Sequence, residues 1–261
     1  NDGRLRYKIN RNKIKKIIGL KFKKISRRSK YLLFFFDKDI VMLVHLGMTG
    51  KFFFINDKKT KYKTSFYYDI NDNKDKKHDH LIFNLSNNQK LIYNDVRKFG
   101  FIKFIQRASL EQNVHLKHLG PEPMSAKFNI GYFKDYTTGK ERNIKNILMD
   151  QKFISGLGNI YVNEILFLSG VKPVKKIKKL TDVEIKKIIK FTKKIISKAI
   201  ILGGSSIKDF SSSSGKKGSF QQYFNVYGKK GENCPKVKCK GKIKKIVVSN
   251  RASFFCNKCQ K

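Results

Sequence analysis

All four cysteines of the chain fall between Cys234 and Cys259, in two close pairs. The pairs are Cys234-Pro-Lys-Val-Lys-Cys239 and Cys256-Asn-Lys-Cys259. Between them runs Lys242-Ile-Lys-Lys-Ile-Val-Val-Ser-Asn-Arg-Ala-Ser-Phe-Phe255, two β-branched or aromatic runs that break at Ser249-Asn250. This pattern predicts a β-hairpin with a pair of thiols at each end.

Paired cysteines around a hairpin are typical of a tetrahedral zinc site, and soft thiolates favour Zn²⁺ over metals that prefer harder ligands. The alternatives are two disulfides, or buried thiols that never meet. The spacing favours one structural zinc ion held by Cys234, Cys239, Cys256 and Cys259. A zinc-bound hairpin is a rigid support, and it would direct Arg251 at its tip towards a partner.

The charge of the chain suggests that this partner is a polyanion. Lys and Arg number 59 against 19 Asp and Glu, a net charge of +40. Such a charge attracts polyanions and makes their binding depend strongly on salt. Codon bias is a simpler origin, because AT-rich genes are rich in Lys, Ile, Asn and Phe. Charge alone therefore fits DNA, RNA or an anionic membrane surface equally.

The length of 261 residues allows two domains, each with its own core. The longest apolar run, Tyr31–Phe36, has the length of a strand, so we expect no membrane span and no membrane partner. The chain opens Asn1-Asp-Gly-Arg-Leu-Arg, charged from the start, and we expect no signal peptide. We therefore expect a cytoplasmic protein, in which thiols stay reduced and available to a metal.

Residues 1–117 are predicted to form an antiparallel β-sandwich or barrel. Short aromatic or β-branched segments alternate there with Asp, Asn and Gly clusters. The predicted strands are 31–36, 40–45, 51–55, 80–85, 90–93 and 100–105. Residues 118–127 contain Leu119-Gly-Pro-Glu-Pro123, a stiff turn-forming segment that is predicted to link two domains.

Beyond this segment the hydrophobic period becomes helical. A helix is predicted over Asn159–Leu168, after Gly156-Leu-Gly158 and before the C-cap signal Ser169-Gly170. The capping box Thr181-Asp-Val-Glu184 starts another, which ends at Gly203-Gly204. Its predicted apolar face is Ile185, Ile188, Ile189, Thr192, Ile195, Ile196, Ala199 and Ile200. The expected fold class is thus α+β, with residues 128–229 forming a helical domain and residues 230–261 the zinc finger.

Nine motifs along the chain carry a resemblance to a known family. In order they are Arg27-Arg-Ser-Lys-Tyr-Leu-Leu33, His45-Leu-Gly-Met-Thr-Gly50, Lys77-His-Asp-His80, Asp95-Val-Arg-Lys-Phe-Gly100, His118-Leu-Gly-Pro-Glu-Pro123, Gly156-Leu-Gly-Asn-Ile-Tyr161, Leu202-Gly-Gly-Ser-Ser-Ile-Lys-Asp-Phe210, Tyr227-Gly-Lys-Lys-Gly231 and Asn250-Arg-Ala-Ser-Phe-Phe-Cys-Asn-Lys-Cys-Gln260. Each motif alone is weak, but their shared order is specific. The chain resembles the bacterial formamidopyrimidine-DNA glycosylase family from about Gly3 to its end.

The resemblance implies a β-sandwich domain and a helix–two-turn–helix domain ending in the zinc finger, with double-stranded DNA bound in the cleft between them. Members of the family excise oxidised purines, chiefly oxoguanine and formamidopyrimidines, from DNA. They then cut the abasic strand by successive β- and δ-elimination. The implied protein is a monomeric base-excision-repair enzyme, both glycosylase and abasic-site lyase, associated with the bacterial nucleoid and acting on DNA with oxidised or abasic sites.

A base inside a duplex must be flipped out before an enzyme can act on it. By the resemblance, Met48, Arg97 and Phe99 fill the space that the base leaves. Two of these side chains are apolar wedges, and the guanidinium can hydrogen-bond the orphaned base. Taken without the family, the residue types favour packing, with Met48 in a strand core and Phe99 as a sheet aromatic.

The resemblance assigns phosphate contacts to Lys30, His78, Lys145, Asn159 and Arg251. Asn159 begins a helix after two glycines, where free N–H groups and the helix dipole favour phosphate, although a plain N-cap uses the same residue type. Lys30 and Arg251 are also the catalytic candidates of the elimination steps. Because arginine rarely gives up its proton, we expect Arg251 chiefly to bind phosphates.

Two further segments have expected roles. Ser205–Gly218 corresponds to a loop that closes over the flipped base, and its Gly and Ser content permits such ordering. His78-Asp-His80 could suggest a metal site, but one histidine on phosphate and one in or near a strand is the expected arrangement.

The chain departs from the family pattern in two places. The family's nucleophile is an N-terminal proline followed by a glutamate, whereas this sequence begins at Asn1, which aligns inside the family pattern. We therefore expect a sandwich that lacks its opening segment, a fragment of an ordinary enzyme rather than a degenerate gene. The first cysteine pair is also two residues longer than the family's usual Cys-x2-Cys.

Three alternatives stay open on sequence grounds. One is the related endonuclease VIII type, which prefers oxidised pyrimidines. Another is a damaged-DNA-binding fragment without catalysis. A third, an RNA- or ribosome-binding zinc protein, fits the charge but not the ordered motifs.

Overall fold

The computed structural model describes residues 5–55, 61–63, 76–86, 88–204 and 220–261. These residues form two compact units, one ending at Lys117 and the other starting at His118. Among them, no helix has the length and apolar character that a bilayer crossing requires. The segment Ser205–Gly218, with its expected loop, lies outside the described residues.

The first unit contains two antiparallel sheets of four strands each. One sheet has the order β1-β2-β3-β8, and the other the order β5-β4-β7-β6. The strands are Phe22–Arg28 (β1), Tyr31–Phe36 (β2), Ile40–His45 (β3), Lys51–Ile55 (β4), Lys61–Lys63 (β5), Asp79–Asn84 (β6), Lys90–Asn94 (β7) and Phe101–Gln106 (β8). A short helix, Arg11–Lys15 (α1), precedes them and is capped by the side chain of Asn10.

The two sheets share one hydrophobic core. Phe34 and Met42 come from the first sheet, and Phe52 and Tyr93 from the second. The burial of both inner faces against each other makes this unit a sandwich, which confirms the predicted fold class.

The second unit contains four α-helices among its described residues: Ile130–Thr137 (α2), Ile144–Met149 (α3), Asn159–Ser169 (α4) and Asp182–Ile201 (α5). Helix α4 ends at Gly170, whose φ of 75° is the left-handed conformation of a C-cap. Helix α5 starts with the predicted capping box of Thr181 and Glu184. Of the predicted apolar face of α5, five residues are buried, Ile189 and Ile196 are partly buried, and Ile200 near the end of the helix is 69% exposed.

The predicted hairpin consists of Ile243–Val248 (β9) and Arg251–Cys256 (β10). The two strands pair antiparallel, with Arg251 opposite Val248. Ser249 and Asn250 form the turn at φ values of 49° and 57°. Two successive left-handed residues form the tight two-residue turn whose twist matches that of the two strands. The break at Ser249-Asn250 in the sequence therefore predicted the position of the turn.

Residues 118–127, the predicted linker, pack as part of the second unit. Gly120 N–H donates to the Gln151 carbonyl at 2.9 Å, and Ser155 N–H donates to the Pro121 carbonyl at 3.0 Å. A side chain at Gly120 would meet the Lys152 carbonyl at 2.5 Å, so glycine is required for this close approach.

Candidate functional site

The four cysteines come together at the open end of the hairpin. Their sulfur atoms all lie within 4.8 Å of one another. The Sγ atoms of Cys234 and Cys259 are 3.7 Å apart, and those of Cys239 and Cys256 are 3.6 Å apart. A disulfide needs about 2.05 Å, whereas a tetrahedron of Zn–S bonds of about 2.3 Å has edges of about 3.8 Å. The disulfide alternative is therefore wrong, and the cluster can hold one zinc ion.

The turn that follows β10 favours the deprotonated, thiolate form of Cys256. Burial raises the pKa of this thiol, but hydrogen bonds from the backbone N–H groups of Cys259 and Lys258, together with those from the thiols of Cys239 and Cys259, lower the pKa to about 7. A side chain at Gly241 would meet the Cys256 sulfur at 2.6 Å. Glycine at position 241, two residues after Cys239, therefore allows the chain to pass close to the Cys256 sulfur.

Side chains of helices α3 and α4 hold the hairpin in place. Lys145 is 1% exposed. Its Nζ donates to the Ala252 carbonyl at 2.9 Å and to Ser253 Oγ at 2.5 Å. Asn159 Nδ2 donates to the same Ala252 carbonyl at 3.0 Å. Two of the predicted phosphate ligands thus have hairpin partners, and both converge on the residue next to Arg251.

The environment of Lys145 lowers the pKa of its ammonium group. Burial lowers the pKa of Lys145 to about 8, and the charge of Arg251 adds to this effect. Both cations line a pocket of about 530 Å³ between α3 and the hairpin tip. A phosphate entering this pocket would relieve the repulsion between the two charges.

Met48, Arg97 and Phe99 lie on two loops of the first unit and face solvent. Met48 is 57% exposed and Phe99 is 47% exposed. The Arg97 guanidinium carbon lies 4.6 Å from the centre of the Phe99 ring. The alternative that Met48 is strand core and Phe99 a sheet aromatic is therefore wrong. Two exposed apolar side chains and a guanidinium stacked on one of them therefore lie on these two loops.

Lys30 and His78, two further predicted phosphate ligands, also belong to the first unit. Lys30 is exposed at the turn between β1 and β2, after Ser29 with its φ of 56°. His78 ends a 3₁₀ turn, and its carbonyl accepts the Asp95 N–H at 3.1 Å. His80 lies in β6, with Nε2 at 2.8 Å from the Asp95 carbonyl. Both histidines therefore contact the backbone of Asp95, His78 through its carbonyl and His80 through its ring.

His45 hydrogen-bonds the loop of Met48. Its Nδ1 accepts the Gly47 N–H at 3.0 Å, which requires the neutral ring. Burial lowers the pKa of His45 to about 4, with further contributions from the charges of Lys30, Arg6 and His115.

This depressed pKa predicts a pH dependence of stability. An unfolded histidine titrates near pH 6.5, so the contribution of neutral His45 is complete above about pH 6.5 and is lost as the pH falls towards 4. We expect the free energy of unfolding to fall by about 1 kcal/mol between pH 7 and pH 5, an amount reduced for partial solvation of the ring. His45→Asn keeps an acceptor for Gly47 but does not titrate, and should reduce the loss. Equal losses in the two proteins, measured by urea unfolding, would contradict this role.

Glu164 is a structural residue that the sequence analysis did not identify. It is 1% exposed within α4. Its carboxylate accepts the backbone N–H groups of Asn225, Val226 and Tyr227 at 2.7, 3.0 and 2.9 Å, and the Asn225 side-chain amide at 2.9 Å. A single carboxylate therefore holds the segment that leads into the zinc finger. An acidic residue inside the apolar pattern of α4 was the available signal.

Known proteins share both sequence and fold with this chain. Two family models match: the formamidopyrimidine-DNA glycosylase N-terminal domain over residues 1–102 and the formamidopyrimidine-DNA glycosylase H2TH domain over residues 119–211. The formamidopyrimidine-DNA glycosylase of Rickettsia bellii is 39% identical over 257 residues, which cover 98% of this chain and 88% of the relative. That of Roseobacter denitrificans is 35% identical over 246 residues, which cover 94% and 85%.

Solved structures of the Lactococcus lactis protein are similar as well. Its complex with an abasic site containing DNA has a TM-score of 0.81 at 35% identity, covering 96% of this chain and 86% of that one. A variant bound to a Fapy-dG containing DNA gives the same values.

A sandwich, a helical unit and a four-cysteine hairpin, with these matches, define the class of helix–two-turn–helix DNA glycosylases. Within this class, the chain belongs to the formamidopyrimidine-DNA glycosylase family of base-excision repair.

Proposed function

We propose that the protein excises oxidised purines from double-stranded DNA and nicks the resulting abasic strand by β- and δ-elimination. The observation that carries this proposal is the solvent-facing wedge of Met48, Arg97 and Phe99. Flipping a nucleotide costs a few kcal/mol, and a side chain that refills the stack recovers part of that energy. The related L. lactis complexes, with abasic and Fapy-dG DNA, support the substrate class.

The cations of each unit have separate parts in this proposal. Arg251 binds and neutralises phosphates from the tip of the hairpin, and Lys30 holds phosphate or supplies a proton in the elimination steps. His78 contributes a further phosphate contact in the first unit. Lys145 binds phosphate in the pocket beside Arg251, and Asn159 binds phosphate at the start of α4, while their bonds to the Ala252 carbonyl fix the hairpin.

One structural zinc ion is proposed for the four thiols. Zinc would crosslink the segment before β9 to the segment at the end of β10, and thereby stabilise the fold of the hairpin. Cys234 and Cys239 would bind it from one turn, and Cys256 and Cys259 from the other. The position of Arg251, at the opposite end of the same two strands, then depends on this crosslink.

The substrate class is tested with the native enzyme on two duplexes, one with oxoguanine opposite cytosine and one with thymine glycol. We expect faster excision of oxoguanine. A clear preference for thymine glycol would favour the endonuclease VIII type and overturn the proposal.

Arg97→Ala is expected to weaken binding to abasic duplex by about 1–3 kcal/mol, the usual effect of losing a bidentate base contact. Affinity for undamaged duplex should stay nearly unchanged, because the wedge enters only a vacated stack. Arg107→Ala removes an exposed arginine of the same unit and is the control. Equal weakening on both duplexes would instead make Arg97 a simple phosphate contact.

A further inference from the structure

The wedge side chains stand on two loops that pack tightly against each other. Residues 46–50 connect β3 to β4, and residues 95–100 connect β7 to β8. A side chain at Gly47 would lie 2.6 Å from the Gly100 nitrogen and 2.7 Å from the Phe99 carbonyl carbon. One at Gly100 would lie 2.7 Å from the His45 carbonyl oxygen. The backbones of the two loops therefore lie in direct contact, and a side chain at either glycine would push them apart.

The carboxylate of Asp95 joins the two loops. Asp95 is fully buried. Its Oδ1 accepts the hydroxyl hydrogen of Thr49, in the first loop. Its Oδ2 accepts the Gly100 N–H, in the second loop, at 2.8 Å and the Tyr93 hydroxyl at 3.4 Å. Each carboxylate oxygen thus binds a different loop.

The network continues from Asp95 to the wedge itself. Thr49 Oγ1 accepts the backbone N–H of Arg97 at 3.0 Å. Thr49 is next to Met48 in the sequence, and Gly100 is next to Phe99. All three wedge residues are therefore within one residue of a hydrogen bond that belongs to this network.

A buried carboxylate is tolerated only where hydrogen bonds replace its hydration. Burial raises the pKa of Tyr93, and the adjacent Asp95 carboxylate raises it further, so the tyrosine hydroxyl stays protonated and donates. The donors to this carboxylate come from the two loops and from the end of β7. Its hydrogen bonding is therefore complete only while the loops stay together.

Resting on the proposed function, we propose that Asp95 is a positioning residue for the wedge. It couples the two loops into one rigid element and presents Met48, Arg97 and Phe99 in the geometry that enters the base stack. Asp95 does not touch the DNA and acts through Thr49 and Gly100. A preorganised wedge loses less conformational entropy when it inserts, which favours damaged over intact DNA.

Three variants separate coupling from mere folding. Asp95→Asn keeps the size of the side chain but turns one acceptor into a donor that faces either Thr49 or the Gly100 N–H. Thr49→Val removes the hydroxyl that links Asp95 to Arg97. Thr49→Ser keeps that hydroxyl and is the matched control.

The first measurement is amide hydrogen exchange in the DNA-free protein. We expect Asp95→Asn and Thr49→Val to accelerate exchange in residues 46–50 and 95–100 together, while Thr49→Ser behaves as the wild type. Faster exchange in only one loop, or the same effect from Thr49→Ser as from Thr49→Val, would overturn the coupling. This readout needs no DNA and decides the positioning role even if the proposed function fails.

The second measurement is the ratio of affinities for a duplex with a tetrahydrofuran abasic analogue and for the undamaged duplex. Asp95→Asn should lower this ratio by about tenfold, the effect of one charged hydrogen bond. Asp95→Asn combined with Arg97→Ala should lose less affinity than the sum of the two single losses, because part of the effect of Asp95 acts through Arg97. Additive losses, or equal losses on both duplexes, would overturn the role. A wild-type protein without preference for the abasic analogue would instead refute the proposed function.

Discussion

Cys256→Ser is expected to abolish zinc binding and to unfold residues 231–261. Cys256 is fully buried and packs with Val226, Ile243 and Phe254 in the small core of the finger. A serine hydroxyl is a far poorer zinc ligand than a thiolate, and structural zinc contributes about 10–16 kcal/mol to the folding of isolated finger peptides. A two-stranded hairpin with so small a core is not stable without this crosslink.

Metal content after dialysis, measured by emission spectrometry, checks this prediction, with circular dichroism to follow loss of the hairpin. Lys258→Ser is the matched control, because its side chain lies in the same turn and is exposed. The control should retain one zinc ion per chain. A variant at Cys256 with unchanged metal content would exclude this cysteine from the site.

Local sequence patterns were sufficient for much of the fold. Strands β2, β3 and β4 have the predicted bounds because each is a continuous run of apolar residues next to turn formers. The hairpin was predictable because Ser249-Asn250 interrupts two β-branched or aromatic runs. Strand β1 was missed, since it lies at a sheet edge and most of its residues are exposed, so it has no apolar run.

The candidate site depends more on contacts between distant residues. Lysine is rarely buried, so nothing local predicts that Lys145 donates to residues more than one hundred positions later. Asp95 is part of a motif, yet its bond to Thr49 joins positions 46 residues apart. Met48 and Phe99 are exposed only because both occupy loops, which their residue types do not indicate. Residue type therefore indicates chemistry, while exposure and partners come from the tertiary fold.

Glu164→Gln is expected to lower the free energy of unfolding by about 3 kcal/mol, the usual result of disrupting a buried, multiply hydrogen-bonded carboxylate. Both carboxylate oxygens of Glu164 accept backbone N–H groups. A glutamine side chain has an NH₂ group in place of one of these oxygens. That group would face backbone N–H groups, so two hydrogen-bond donors would oppose each other. The segment that follows Phe224 should then detach from α4. Because Tyr227 packs on Phe254 at a ring distance of 5.2 Å, the finger should also release zinc at a lower temperature.

Glu141→Gln is the matched control for this change. Glu141 forms an exposed ion pair with Lys178, and its side chain is 68% exposed. Water can replace the lost partner there, so the unfolding midpoint should stay within error of the wild type. Urea unfolding of the three proteins, with a zinc-binding dye present, reports both stability and metal release. If Glu164→Gln were as stable as Glu141→Gln, the buried carboxylate would not be the link between α4 and the finger, and the packing of Val226 and Tyr227 alone would have to hold it.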